Sequence, residues 1–176
     1  MQTLIAIDTS EQAEHVVESA AQLLRTVQQP HIRLLTVTDD ADVHETMAST
    51  GPQGTTTPRG SWSGSSFQMP TPSSPRLIED RTQALARVHH DLEQRDAALA
   101  KHYLDGLEVD WRVVSAPHTV DAILKAATEF GAELIIMGTR GRQGISRMLM
   151  GSTAEEILRQ SPVPVLIVGD AVQTSK

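Results

Sequence analysis

The 176-residue chain has no cysteine. Disulfides, thiolate-held metals and a catalytic thiol are thereby excluded, and a chain without disulfides suits a reducing compartment. Long apolar runs are missing as well. No stretch approaches the roughly 18 apolar residues that span a bilayer, and the opening MQTLIAIDTS has neither a basic region nor an apolar run long enough for a secretory leader. A soluble, cytoplasmic protein is expected. Blocks of lysine or arginine are also absent: 15 basic residues stand against 22 acidic ones, a formal net charge of -7. That balance argues against a grip on a nucleic-acid backbone or an anionic membrane, so neither is expected as a partner. Two phosphate-binding signatures are missing too, Gly-x4-Gly-Lys-Ser/Thr and a Gly-x-Gly-x2-Gly after the first strand. A motor-type NTPase and a dehydrogenase are therefore set aside.

What is present alternates. Thr3 to Ile7 is an apolar run ending at Asp8, and Ala13, Val17, Ala20, Leu24 and Val27 then recur on one helical face. Ile32 to Val37 predicts a second strand, and Ile78, Leu85, Val88, Leu92 and Leu99 mark a long helix before a third strand at Val109 to Val114. Val120, Ile123, Leu124 and Ala127 hold helical spacing after Pro117, which is expected near the first turn, where its missing N–H costs nothing. Leu134 to Met137 is strand four. Ser152 and Glu155 match a capping box that starts a fourth helix running to about Gln160. Pro162 ends it, and Val163 to Val168 reads as strand five, with Pro164 pointing to a sheet edge. Strict alternation of five strands and four helices predicts an α/β fold, an open doubly wound parallel sheet with helices on both faces, in a single domain over residues 1–176.

An insertion at about residues 45–75 interrupts the alternation. From Ser49 to Pro75 nearly every residue is Ser, Thr, Gly or Pro, too little apolar surface to offset the entropy of ordering, so a mobile loop is expected. A tolerated surface insertion is the plain reading. A lid carrying Trp62 and Phe67, or a docking segment at Pro72-Ser-Ser-Pro75, are the alternatives.

The most informative stretch is GTRGRQGISRMLMGST, Gly138 to Thr153, between strand four and helix four. Gly138, Gly141 and Gly151 fall at Gly-x2-Gly-x9-Gly and Ser152 follows, so the backbone can approach a ligand closely beside the free amides of a helix start. A phosphate-bearing nucleotide fits that chemistry. The seven histidines, among them His89, His90 and His118, show no metal-ligand spacing, and no site made wholly of protein is expected.

Asp8 after strand one, Val37 at the end of strand two, Pro117-His118, MGTRG at Met137 to Gly141, GST at Gly151 to Thr153 and PVPVLIV at Pro162 to Val168 together resemble the universal stress protein family. The likeness spans nearly the whole chain outside the insertion, and the glycine spacing followed by Ser152 is the mark of that family's ATP-binding branch. The resemblance implies a strand order of 3-2-1-4-5. It also implies ATP over Ala6, Ile7 and Asp8, with Val37 and Met137 beside the base end and Asp8 accepting hydrogen bonds from the ligand. Gly138, Arg140, Gly141, Gly151, Ser152 and Thr153 would take the phosphates with Mg2+ or Mn2+, and Arg142 and Arg147 could assist. Read without the family, Asp8 is open between a ligand contact and a plain turn or cap, since Thr9 and Ser10 can cap helix one equally well.

Nothing in the sequence nominates a general base with a positioned water, so a nucleotide-binding regulator is favoured over an enzyme. A slow or autophosphorylating ATPase and a nucleotide-free scaffold are the alternatives. Strand five, apolar and at an edge, invites pairing with a second copy, and a homodimer through Val163 to Val168 is expected.

Overall fold

Five short runs rich in Val, Ile and Leu become strands of a parallel sheet covered by helices: the three inner runs are largely buried on both faces, and the two at the edges stay partly exposed. In the computed structural model, residues 1–10, 12–38, 75–139 and 150–169 are described. In chain order they form β1 (Gln2–Ile7), α1 (Gln12–Leu24), β2 (His31–Thr38), α2 (Pro75–Tyr103), β3 (Glu108–Ser115), α3 (Thr119–Phe130), β4 (Leu134–Gly138), α4 (Ser152–Gln160) and β5 (Val165–Val168). The sheet is parallel throughout, in the order β3-β2-β1-β4-β5. The expected alternation, sheet type and strand order are all observed.

Alternate residues of each strand divide the core in two. Ile5, Ile7, Ile32, Leu34 and Ile136 pack with Ala13, Val16, Val17, Ala20, Ala21 and Leu24 of α1 and with Leu99 and Tyr103 of α2. Leu4, Ala6, Leu35, Ile135 and Met137 pack with Ile123, Ala127 and Phe130 of α3 and Ala154 and Ile157 of α4. Each face thus carries two helices. Gly131 ends α3 in the left-handed region (φ 69°, ψ 37°), and the Ala132 amide reaches back to the Ala127 carbonyl at 2.8 Å. Glycine enters that region without the Cβ penalty of other residues.

Several element boundaries differ from the sequence reading, and α1 ends at Leu24, so Val27 packs on the core from beyond the helix. Strand β5 begins at Val165, not Val163, because Pro164 has no N–H for the ladder and takes part only through its carbonyl, which accepts the Ile135 amide at 3.0 Å. β5 does lie at the sheet edge, as the prolines suggested. Pro117 stands outside α3: His118 is the N-cap, so the proline precedes the helix by two residues. The insertion falls almost wholly outside the described residues, with Pro75 as the first residue of α2.

Helices α1 and α2 are tied by the Tyr103 hydroxyl, which donates to the Glu14 carboxylate at 2.6 Å. That bond, aided by burial and by the charges of Glu14 and Glu18, pushes the phenol up to about 12. A group whose pKa rises on folding contributes stability below its unfolded value and loses it as pH climbs through the folded one, so this contribution fades between about 10 and about 12. Tyr103 is the single tyrosine of the chain, so tyrosinate absorbance reads it alone. The expected midpoint lies near 12 and falls back in Glu14→Gln; an ordinary midpoint of about 10 in the wild type would refute the pairing.

Candidate functional site

In a doubly wound sheet, ligands bind beyond the carboxyl ends of the strands where the winding direction reverses. Here β1 and β4 are neighbours, with Ala6 opposite Met137, and the chain leaves them in opposite directions across the sheet. The crevice is therefore bordered by Asp8, just past β1, and by Gly138, the last residue of β4.

Asp8 is pinned at one oxygen only. Its Oδ1 accepts the Ser10 amide at 3.0 Å and the Ser10 hydroxyl at 2.6 Å, a local turn that precedes α1. Its Oδ2 is buried and has no hydrogen-bond partner among the described residues, and the same holds for the adjacent Thr9 Oγ1. Thr3 Oγ1, at the far end of β1, is likewise unpartnered, but Oδ2 is the carboxylate oxygen among the three and stands at the crevice, where an unpaired acceptor is costly. The turn reading of Asp8 thus accounts for one oxygen and leaves the other without a partner.

On the other side, the loop between β4 and α4 is closed at its base. The Thr139 amide donates to the Val168 carbonyl at 3.0 Å, and the Gly151 amide donates to the Thr139 carbonyl at 2.6 Å. The Gly151 amide is therefore already paired, although the resemblance implied it among the phosphate contacts. Nor is there a capping box at Ser152. Gly151 is the N-cap, extended at φ -64° and ψ 146°, and its carbonyl accepts the Glu155 amide at 3.0 Å. Three residues beyond Gly151 stands Ala154, which has no side chain to reach back, and no side chain caps the helix. The amides of Ser152, Thr153 and Ala154 consequently have no acceptor within the helix and carry its positive dipole end. Arg140 and Gly141, with Arg142 and Arg147, lie outside the described residues.

The remaining predicted residues separate by face. Ala6, Met137 and Val37 sit on the side covered by α3 and α4, whereas Ile7 packs into the opposite core against α1. Ile7 can offer the crevice its main chain only. The starts of α3 and α4 enclose a cleft of about 290 Å³ lined by Pro117, His118, Thr119, Val120, Asp121, Thr153 and Glu156. Pro117-His118 and Thr153, far apart in sequence, are thus brought together, and α3, like α4, starts without a side-chain cap.

Sequence reasoning missed one group. Asp96, in the C-terminal half of α2, is fully buried beside Thr36 of β2, and Arg95 reaches from the same turn to the carbonyl of Asp8 at 2.9 Å. Burial pushes the Asp96 carboxyl up, against the lowering effect of its bonds to Thr36 and Arg95. The signal was available: Asp96 falls four residues after Leu92 and three before Leu99, on the apolar stripe of the helix.

An open parallel sheet in the order β3-β2-β1-β4-β5, with two helices on each face, defines a class of doubly wound α/β domain. The chain belongs to the universal stress protein family, whose profile matches residues 66–169. It is 24% identical over 166 residues to the stress response protein NhaX of Bacillus subtilis, covering 94% of this chain and 95% of that one. It is 39% identical over 56 residues to universal stress protein MJ0577 of Methanocaldococcus jannaschii, a stretch covering 32% and 33% of the two chains. The solved structure of MJ0577 superposes with a TM-score of 0.70 at 20% identity, covering 97% and 96%. A universal stress protein solved in complex with cAMP superposes at 0.51 with 16% identity, covering 96% of each chain.

Proposed function

We propose that the chain binds ATP in the crevice between β1 and β4, and that occupancy biases its conformation, its dimerisation or its choice of partner. The observation that carries this reading is the unpartnered Asp8 Oδ2, a buried acceptor at the place where a base or ribose would present donors. Ala6, Val37 and Met137 supply the apolar surface beside it. The amides of Ser152 and Thr153 and the Ser152 hydroxyl would take the phosphates, with Gly138, Arg140, Gly141 and Gly151 shaping the loop around them. That a family member of the same fold has been solved with cAMP supports an adenine nucleotide as the ligand class.

The cleft beside Thr153 carries the carboxylates of Asp121 and Glu156, which would repel a bare polyphosphate. Among the described residues no three His, Asp or Glu side chains are grouped to hold a metal. A divalent cation fits between carboxylates and phosphates, arriving with the nucleotide. The proposed dimer uses the edge strand β5, where Leu166 is 38% exposed. No helix of the described residues is long and apolar enough to cross a membrane.

Calorimetric titration of Mg-ATP, with product analysis and sedimentation of the same sample, tests the reading. Saturable binding, at most slow release of ADP, and a nucleotide-sensitive dimer are expected. No heat, no thermal stabilisation and no adenine nucleotide released from freshly purified protein would reject it, and rapid turnover would replace the regulator with an enzyme.

A further inference from the structure

The last register pair joining β1 to β2 is Ile7 with Thr36, so the carbonyl of Asp8 lies just past the ladder. It accepts from a side chain: Arg95 NH1, from α2, donates to it at 2.9 Å. Arg95 is held in turn. Its Nε and NH2 donate to Asp96 Oδ1 at 3.0 and 2.8 Å, and NH2 also donates to Thr36 Oγ1 at 3.0 Å. The Thr36 hydroxyl donates to Asp96 Oδ2 at 2.7 Å. Thr36 and Asp96 are 0% exposed, and the Arg95 side chain 28%. A guanidinium with bonds from three of its nitrogens in this fork has little freedom left, and a buried carboxylate facing it fixes the fork further.

We propose that Arg95 and Asp96 are positioning residues for the nucleotide site: by clamping the Asp8 carbonyl they set the direction of the Asp8 carboxylate, and they tie α2 to ligand affinity. The chain of bonds is continuous from Asp96 and Thr36 through Arg95 to the Asp8 main chain, and the Asp8 side chain is held from its other end by Ser10. Between the two anchors only Oδ2 is left unpartnered. Misplacing a contact atom by a fraction of an ångström is enough to weaken a charge-assisted hydrogen bond, so the clamp acts on affinity without touching the ligand. The inference rests on the ATP reading above.

The experiment is a double-mutant cycle on the full chain, with ATP affinity measured for wild type, Arg95→Met, Asp8→Asn and the double variant. In the nucleotide-free proteins it is paired with hydrogen exchange at the Ser10 amide, which reports the Asp8 carboxylate directly. Arg95→Met is expected to weaken ATP binding by about tenfold in the wild-type background and by less than about twofold when Asp8 is already Asn. Ser10 exchange should rise. Arg95→Lys, which keeps a donor but not the fork, should restore part of both, and it carries the cycle alone if Arg95→Met fails to fold. A loss of equal size in both backgrounds would show a merely structural role and overturn the proposal, as would unchanged affinity. A wild type that binds no nucleotide overturns the ATP reading and this inference with it; binding with additive effects overturns the inference alone.

Discussion

Asp8→Asn is expected to lower ATP affinity by about 10- to 100-fold while leaving the melting temperature nearly unchanged. The amide is an isostere of the carboxylate. Its oxygen can keep accepting from the Ser10 amide and hydroxyl, at the 3.0 and 2.6 Å positions now held by Oδ1. Its nitrogen then stands where Oδ2 stands, and an acceptor aimed at ligand donors becomes a donor. Hydrogen bonds to a charged group contribute about 1.5–3 kcal/mol, and each 1.4 kcal/mol is about tenfold in affinity, which sets the size of the effect. Asp8→Ala removes both functions and should add a loss of stability of about 1 kcal/mol from the broken turn hydrogen bonds to Ser10. The contrast between the two variants separates the roles of the two oxygens. Calorimetry showing full ATP affinity in Asp8→Asn would mean that Asp8 is only a turn residue and that its free oxygen is not a ligand contact.

The fold was legible because its signals are local. Alternating apolar runs and helical spacings gave the strand and helix order from residues such as Ile32 to Val37 and Val120 to Ala127, and a parallel sheet follows from crossover length alone. Strand order was not legible from periodicity, since Ile5 and Ile136 carry no mark of being neighbours; it came through the resemblance and is observed. The reading of the candidate site reached Asp8 through the resemblance, since its residue type and place alone left a ligand contact and a turn both open; the structure shows one oxygen in a turn and the other unpartnered. The reading failed where two residue types compete for one role. Ser152 and Glu155 have the letters of a capping box, but the register of the helix is set one residue earlier by the extended backbone at Gly151. Asp96 was hidden for a different reason. In a helix as polar as α2 an Arg-Asp pair looks solvated, and only Thr36, sixty residues away in sequence, turns it into a buried cluster.

Ile136→Ala should be the most destabilising of the changes considered, at about 2–5 kcal/mol. β4 lies between β1 and β5, and Ile136 stands between Ile5 and Leu166 in register. It is 0% exposed and packs in the cluster beneath α1. Truncation removes three carbons from a site closed by a strand on either side, so the neighbours can collapse only partly onto the space. Ile136→Val, which removes one carbon, should cost about 0.5–1.5 kcal/mol. The loss matters for function because Ile136 is two residues from Gly138, at the lip of the crevice. A domain with about 5–15 kcal/mol of stability survives the change weakened, and ATP at a hundred times its dissociation constant should return about 2.7 kcal/mol by mass action. Urea unfolding with and without Mg-ATP checks both numbers. Ile136→Ala as stable as wild type would refute the packing, and a wild type whose unfolding Mg-ATP leaves unmoved would reject the ATP reading.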